Sequence, residues 1–263
     1  MNSEDTFLQS KELLISQAAN LMEDITPDTH FNIRQKIALA CRILFDNGHD
    51  AGLAGQITTR GMEPETFLTQ RLGLGLDEIT ASNLLVVNEH LSVLHGAGMP
   101  NPANRFHSWV YRARPDVNCI IHTHPAYTAA LSMLEVPLQI SHMDNCVLYD
   151  AVAFVDKWPG IPFGNEEGEL ISDALKDKSA LLLGHHGMLV VGNTVEEACM
   201  LALAFERSAR MQIVAMSAGS IKPIDRELGL EARAWLSKPK RHAIGFSYQA
   251  RRSLKDGRNA DCV

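Results

Sequence analysis

Two stretches near the N-terminus, residues 7–22 and 31–47, repeat apolar residues at helical spacing. The second closes at Asn47-Gly48, a pair suited to a helix C-terminus. The pattern then changes. "GQITTR" (55–60), "ETFLTQR" (65–71), "NLLVVN" (83–88) and "SVLHG" (92–96) are short and rich in branched or aliphatic residues. Gly, Asn and Glu separate them, as expected of strands in a largely antiparallel sheet. Helical spacing returns over 104–115 and is stopped by Pro115. "VNCIIHTH" (117–124) predicts a strand, and Pro125 suits the first position of a following helix. "ALLLGHHGMLVVG" (180–192) predicts two strand segments broken at a Gly-flanked turn. The longest predicted helix covers 194–216, with Thr194 and Glu197 at capping-box spacing and Gly219 as its stop. Strands interspersed with helices, several strands being consecutive, predict an α/β layered domain rather than a parallel βαβ array. No Pro/Gly/Ser-rich linker, charge block or repeat interrupts the 263 residues, so one domain over 1–263 is expected.

Charge and cysteine usage narrow the function classes. A formal net charge of −7 and a pI of about 5.9 disfavour nucleic acid or an anionic membrane as partner. The locally basic stretch 238–258 reads as a solvated C-terminal face. No apolar run approaches the ~20 residues of a membrane span, and residues 1–22 lack a basic segment leading into an apolar one. The five cysteines are odd in number, scattered and never in a C-x-x-C pair, which predicts reduced thiols in a cytoplasmic protein.

The chemistry concentrates in histidines. Residues i and i+2 of a strand share a face, so His122 and His124 project together. With Cα atoms about 6–7 Å apart, two neutral imidazoles can converge on one ion. "GHHGM" (184–188) puts His185 and His186 at another Gly-flanked strand end. Adjacent strand residues face opposite ways, so one of these two is expected to join the pair.

"GLAGQITTR", "GLGLDEITASNLLVVN", "RFHSWVYRARPDVNCIIHTHP" and "ALLLGHHGMLVVGNTVEEA" together resemble the class II aldolase/adducin family, over about residues 31–218. The resemblance implies a three-layer αβα domain with a central, largely antiparallel sheet, and residues 219–263 as a C-terminal extension. It also implies a homotetramer with active sites between subunits. One divalent ion (zinc, manganese or iron(II)) would be held by His122, His124 and His186, with His185 in a supporting role where the family usually has asparagine.

Three departures from the family pattern shape the expected function. The metal-binding glutamate that serves the aldolases as base is replaced by Ala103 in "NPANRFH", and Glu89 is too far upstream to stand in. On the positions that bind sugar phosphate in the family stand Gln56, Leu72, Gly73, Asn101 and Pro102. Leu72 and Pro102 side chains cannot donate to phosphate, whereas Arg71 beside them suits a carboxylate. The family's proton-donating tyrosine, supplied by a neighbouring subunit, has no counterpart in "LQISHMDNC"; His142 falls within about one residue of its place and can carry protons near neutral pH. His107, one helical turn after Ala103, is common in the family and expected to orient the site. These residues predict a metal-dependent lyase that cleaves a C–C bond, by decarboxylation or retro-aldol cleavage, of a small non-phosphorylated hydroxy- or oxo-acid. The expected substrate-binding residues are Gln56, Arg71, Gly73 and Asn101, with His142 catalytic. A three-histidine site without an acidic ligand also suits a non-haem iron(II) oxygenase performing oxidative decarboxylation. An adducin-like binding module is the third reading, and the intact ligand set weighs against it.

Overall fold

In the computed structural model, which describes residues 6–27, 30–161 and 164–263, the alternation of side chains along each strand decides which helices lie where. The strands are β1 (Gln56–Arg60), β2 (Thr66–Thr69), β3 (Leu85–Asn88), β4 (Val93–His95), β5 (Cys119–Thr123), β6 (Val152–Val155), β7 (Ala180–Leu183) and β8 (Met188–Gly192). They form one sheet in the order β4-β3-β2-β1-β5-β8-β7-β6, antiparallel throughout except where β6 meets β7. The helices are α1 (Lys11–Glu23), α2 (Ile33–Asp46), α3 (Asn104–Ala113), α4 (Ala126–Ser132), α5 (Asn165–Leu175), α6 (Val195–Ala218), α7 (Arg226–Leu236) and α8 (Pro239–Ser253).

Ile120, Leu181, Leu183, Leu189 and Val191 point to one face, where they pack with Phe106 and Val110 of α3 and Ile171 and Leu175 of α5. Their sequence neighbours Cys119, Ile121, Leu182, Met188 and Val190 point to the other, against Ile37 and Leu39 of α2, Phe205 of α6 and Phe246 of α8. Period-two alternation with both faces apolar therefore buries the central strands completely, and the result is the expected αβα sandwich. β5 lies mid-sheet, with Gln56 of β1 on one side of His122 and Leu189 of β8 on the other.

The local signals hold with small shifts. α2 is closed by Asn47 and Gly48 (φ +88°), and a capping box of Asn32 and Gln35 starts it. Thr194 caps α6 through the Glu197 amide, but the Glu197 carboxylate reaches Asn193 rather than Thr194. Pro125 is the N-cap of α4 and not its first residue, because its ψ of 155° is extended. Residues 6–8 form a separate 3-10 turn, so the first helix begins only at Lys11. The sequence pattern missed β6, α5, α7 and α8. In α8 the apolar stripe is short, Phe246 and Ala250, and the Lys and Arg residues around it mask the period. Arg251, Arg252, Lys255 and Arg258 are exposed, as expected of the tail, whereas Lys238 and Arg241 are half-buried over the Trp235 ring. Among the described residues no helix is long and apolar enough to cross a membrane, and all five cysteines are free and buried.

Candidate metal centre

β5 ends where β8 begins, and this junction gathers the histidines. His122 faces the α3 side of the sheet, in line with Ile120, and its ring meets Phe106 edge-on at 5.1 Å. His122 Nδ1–H donates to the Met188 carbonyl (2.8 Å), which fixes the ring and leaves the Nε2 lone pair free. That atom lies 2.7 Å from His124 Nε2. The His186 ring completes the triangle, 4.8 Å from His122 and 4.5 Å from His124 between ring centres. One ligand atom from each residue falls within 4.8 Å of the others.

Burial pushes the His122 pKa well below its ordinary value, and the rings of His124, His186 and His107 add to the effect. Burial lowers His124 and takes His186 down to about 4, with His124 contributing to the latter. All three are therefore neutral at pH 7 and present lone pairs to a common point. Two such nitrogens at 2.7 Å repel unless a proton or a cation lies between them. The donor set fits a borderline divalent ion, and a three-residue site leaves further positions for substrate.

His185 is turned away. Its φ of +53° reverses the chain, and its Nε2 contacts the Glu135 carboxylate at 2.8 Å. Gly187 shows why the turn closes so tightly. A Cβ there would stand 2.5 Å from His124 Cδ2 and 2.5 Å from the Thr123 carbonyl oxygen. The Gly-flanked pattern was visible in the sequence, but Glu135 as partner of His185 was not, since fifty residues separate them.

The other predicted residues divide into two groups. Gln56 sits opposite His122, buried, with its Oε1 lacking any partner. Gln70 binds both peptide groups flanking it: Nε2–H donates to the Gly55 carbonyl (3.0 Å) and the Ile57 N–H donates to Oε1 (2.9 Å). The following Arg71 bridges to Pro100, and the Leu72 N–H donates to the Met99 carbonyl. Arg71, Gly73 and Asn101 thus share one pair of zipped loops, with Asn101 Oδ1 receiving the Ala103 N–H at the start of α3. Ala103 itself is buried among apolar side chains. His107 is bound at Nδ1 by Thr58 (2.8 Å), has no partner at Nε2, and stands outside the histidine triangle. His142 is separate from these. It caps the 3-10 turn Met143–Leu148, half exposed, with Nδ1 accepting from the Asp144 N–H.

Two buried histidines make the acid stability testable. His49, bonded to Thr123 Oγ1, and His107 are both pushed down to about 3 by burial. A base whose folded pKa is depressed takes up protons more readily when unfolded, so stability is intact above about 6.5 and falls as pH drops towards 3. Each residue should contribute a slope of ~1.4 kcal/mol per pH unit in that window. Urea midpoints of the metal-free protein between pH 7 and 4.5 measure it; His49→Asn should be less acid-sensitive, and an unchanged slope would contradict the assignment.

Residues 35–213 match the family model described as class II aldolase and adducin N-terminal domain. A 4-hydroxy-3-prenylphenylpyruvate oxygenase/4-hydroxy-3-prenylbenzoate synthase of Streptomyces roseochromogenus subsp. oscitans is 29% identical over 238 residues, 88% of this chain and 84% of that protein. The decarboxylase NovR of Streptomyces niveus is 28% identical over 226 residues, 84% and 82% of the two chains. Among solved structures, L-fuculose 1-phosphate aldolase from Glaciozyma antarctica PI12 superposes with a TM-score of 0.78 at 28% identity, covering 90% of this chain and 96% of that one.

Proposed function

The chain belongs to the class II aldolase/adducin family, and from that premise we propose that it is a metal-dependent carbon–carbon lyase acting on a small non-phosphorylated hydroxy- or oxo-acid. The observation that carries this reading is the triangle of neutral imidazoles, His122, His124 and His186, combined with Ala103 where the family's sugar-phosphate aldolases place a carboxylate. Zinc, manganese or iron(II) bound there would act as a Lewis acid towards a chelating acid and stabilise negative charge on its oxygens.

The chain's own residues supply the rest. Among the described residues no carboxylate pairs with the Arg71 guanidinium, and a guanidinium so placed pairs bidentately with a substrate carboxylate. Gln56, with its unpartnered Oε1 beside His122, accepts a hydrogen bond from a substrate hydroxyl, and Asn101 and Gly73 shape the loop wall. Cleavage leaves the bonding electron pair on carbon as an enolate that must take up a proton. In retro-aldol cleavage a hydroxyl must also lose one as it becomes the carbonyl, whereas in decarboxylation the carboxylate leaves as carbon dioxide. His142, exposed in the single chain, does this work across a subunit boundary in a tetramer. The expected setting is the cytoplasm, in keeping with five reduced cysteines.

One observation favours a second reading. Among the described residues no acidic side chain joins the three histidines, and a relative of similar length is named an oxygenase. Oxidative decarboxylation by an iron(II)-loaded enzyme would consume dioxygen as co-substrate and need no protein base.

Steady-state kinetics on aryl and aliphatic 2-oxo and hydroxy acids, with zinc-, manganese- and iron(II)-loaded protein and an oxygen electrode, separate the readings. Arg71→Ala should raise KM by roughly 10–100-fold with a smaller change in kcat, as expected for a lost charge-assisted pair. His142→Ala should lower kcat in the lyase and leave the oxygenase unchanged. Micromolar binding of sugar phosphates, an unaltered KM in Arg71→Ala, or an active monomer by sedimentation would count against the proposal.

A further inference from the structure

α4 follows His124 and Pro125 directly, and its N-cap offers no side chain to its first amides. Those amides are taken by a residue from another element. Glu206 of α6, itself only 9% exposed, receives the Tyr127 N–H at Oε1 (2.9 Å) and both the Thr128 N–H (2.8 Å) and the Thr128 hydroxyl (2.7 Å) at Oε2. The other end of α4 is tied to the opposite half of the metal centre. The His185 N–H donates to the Ser132 carbonyl (3.1 Å), and the His185 ring contacts Glu135 just beyond the helix. One short helix thus spans from the β5 end carrying His124 to the turn carrying His186.

We propose that Glu206 is a positioning residue for the three-histidine centre: by locking the start of α4 it sets the separation of His124 and His186, although it touches neither. This rests on the metal reading above. Bonds from amides to a carboxylate are stronger than those to neutral acceptors, and the first turn of a helix favours negative charge, so this anchor resists displacement. A residue with only a structural role is available for comparison on the same helix. Gln212, also buried, receives the Gln139 N–H (2.7 Å) and donates to the Pro137 carbonyl (3.1 Å), holding the loop beyond α4 without touching α4 itself.

The test is zinc affinity of the full-length protein, measured by competition with a chromogenic chelator after metal removal, alongside thermal midpoints and amide exchange at Tyr127 and Thr128. Glu206→Ala should weaken zinc binding by roughly 10–100-fold, the range typical of groups that orient metal ligands, and Glu206→Gln by an intermediate factor. Gln212→Ala should lower the thermal midpoint and leave zinc affinity unchanged. Equal weakening in Glu206→Ala and Gln212→Ala would overturn the proposal, and so would wild-type affinity in Glu206→Gln despite faster exchange at Tyr127 and Thr128. Wild-type protein that binds no zinc would overturn both this inference and the metal reading. Tight wild-type binding with no Glu206 effect would remove this inference alone.

Discussion

His186→Ala should lose its divalent ion on dialysis, while His185→Asn should keep a full equivalent. The affinity loss in the first should exceed the roughly 10–100-fold seen when an outer partner of a ligand is removed, since a donor atom itself is gone. The two histidines are sequence neighbours, yet they serve different ends of the turn. The ring of His186 lies within 4.8 Å of both other rings, whereas His185 occupies the left-handed region and spends its ring on Glu135. Asparagine tolerates that backbone conformation, so His185→Asn removes the contact with Glu135 without adding strain. Metal analysis by plasma emission on both variants decides the matter. Retention by His186→Ala with loss from His185→Asn would reverse the ligand assignment.

Gly187→Ala should be nearly as damaging, although it removes no functional group. The new methyl would meet the His124 ring on one side and the Thr123 carbonyl on the other, each at 2.5 Å. The ring can swing away, but doing so breaks the convergence of the triangle. The carbonyl cannot move without disturbing the strand pairing of Thr123 with Met188. Overpacking of this kind costs about 1–3 kcal/mol. The expected outcome is a folded protein with a lower thermal midpoint and metal affinity reduced by at least about tenfold, by comparison with other disturbed ligand geometries. Wild-type metal content in a stable Gly187→Ala protein would show that the close approach is not needed.

How much of this was legible beforehand follows from what local sequence encodes. The H-x-H pair was readable because strand geometry alone fixes two side chains on one face, and the fold was readable because β5, β7 and β8 carry apolar runs whose alternate residues fill both faces of the sheet. Choosing His186 over His185 required the family pattern, since the deciding contact to Glu135 spans fifty residues. Glu206 was invisible for the same reason: it sits in α6 as one more charged residue, and only the packing of α4 against α6 turns it into a cap, with 78 residues between it and Thr128. α5 and α8 were missed because each buries only two apolar side chains, Ile171 and Leu175 in the one and Phe246 and Ala250 in the other. His142 was placed by analogy with a neighbouring subunit's residue, and a single chain brings it into no shared cluster with His122, His124 and His186.

The outer strand β4 has a consequence for assembly. It is three residues long, exposed along its whole length, and shifted in register against β3 between Val86 and Val87. Such an edge presents no straight row of free amides and carbonyls for another chain to extend, the device by which natural sheets resist end-on aggregation. At this edge a second copy would meet side-chain surfaces rather than continue the ladder. The pairing that holds Gln56 beside His122 lies in the interior of the sheet, four strands in from that edge, and is made entirely within one chain.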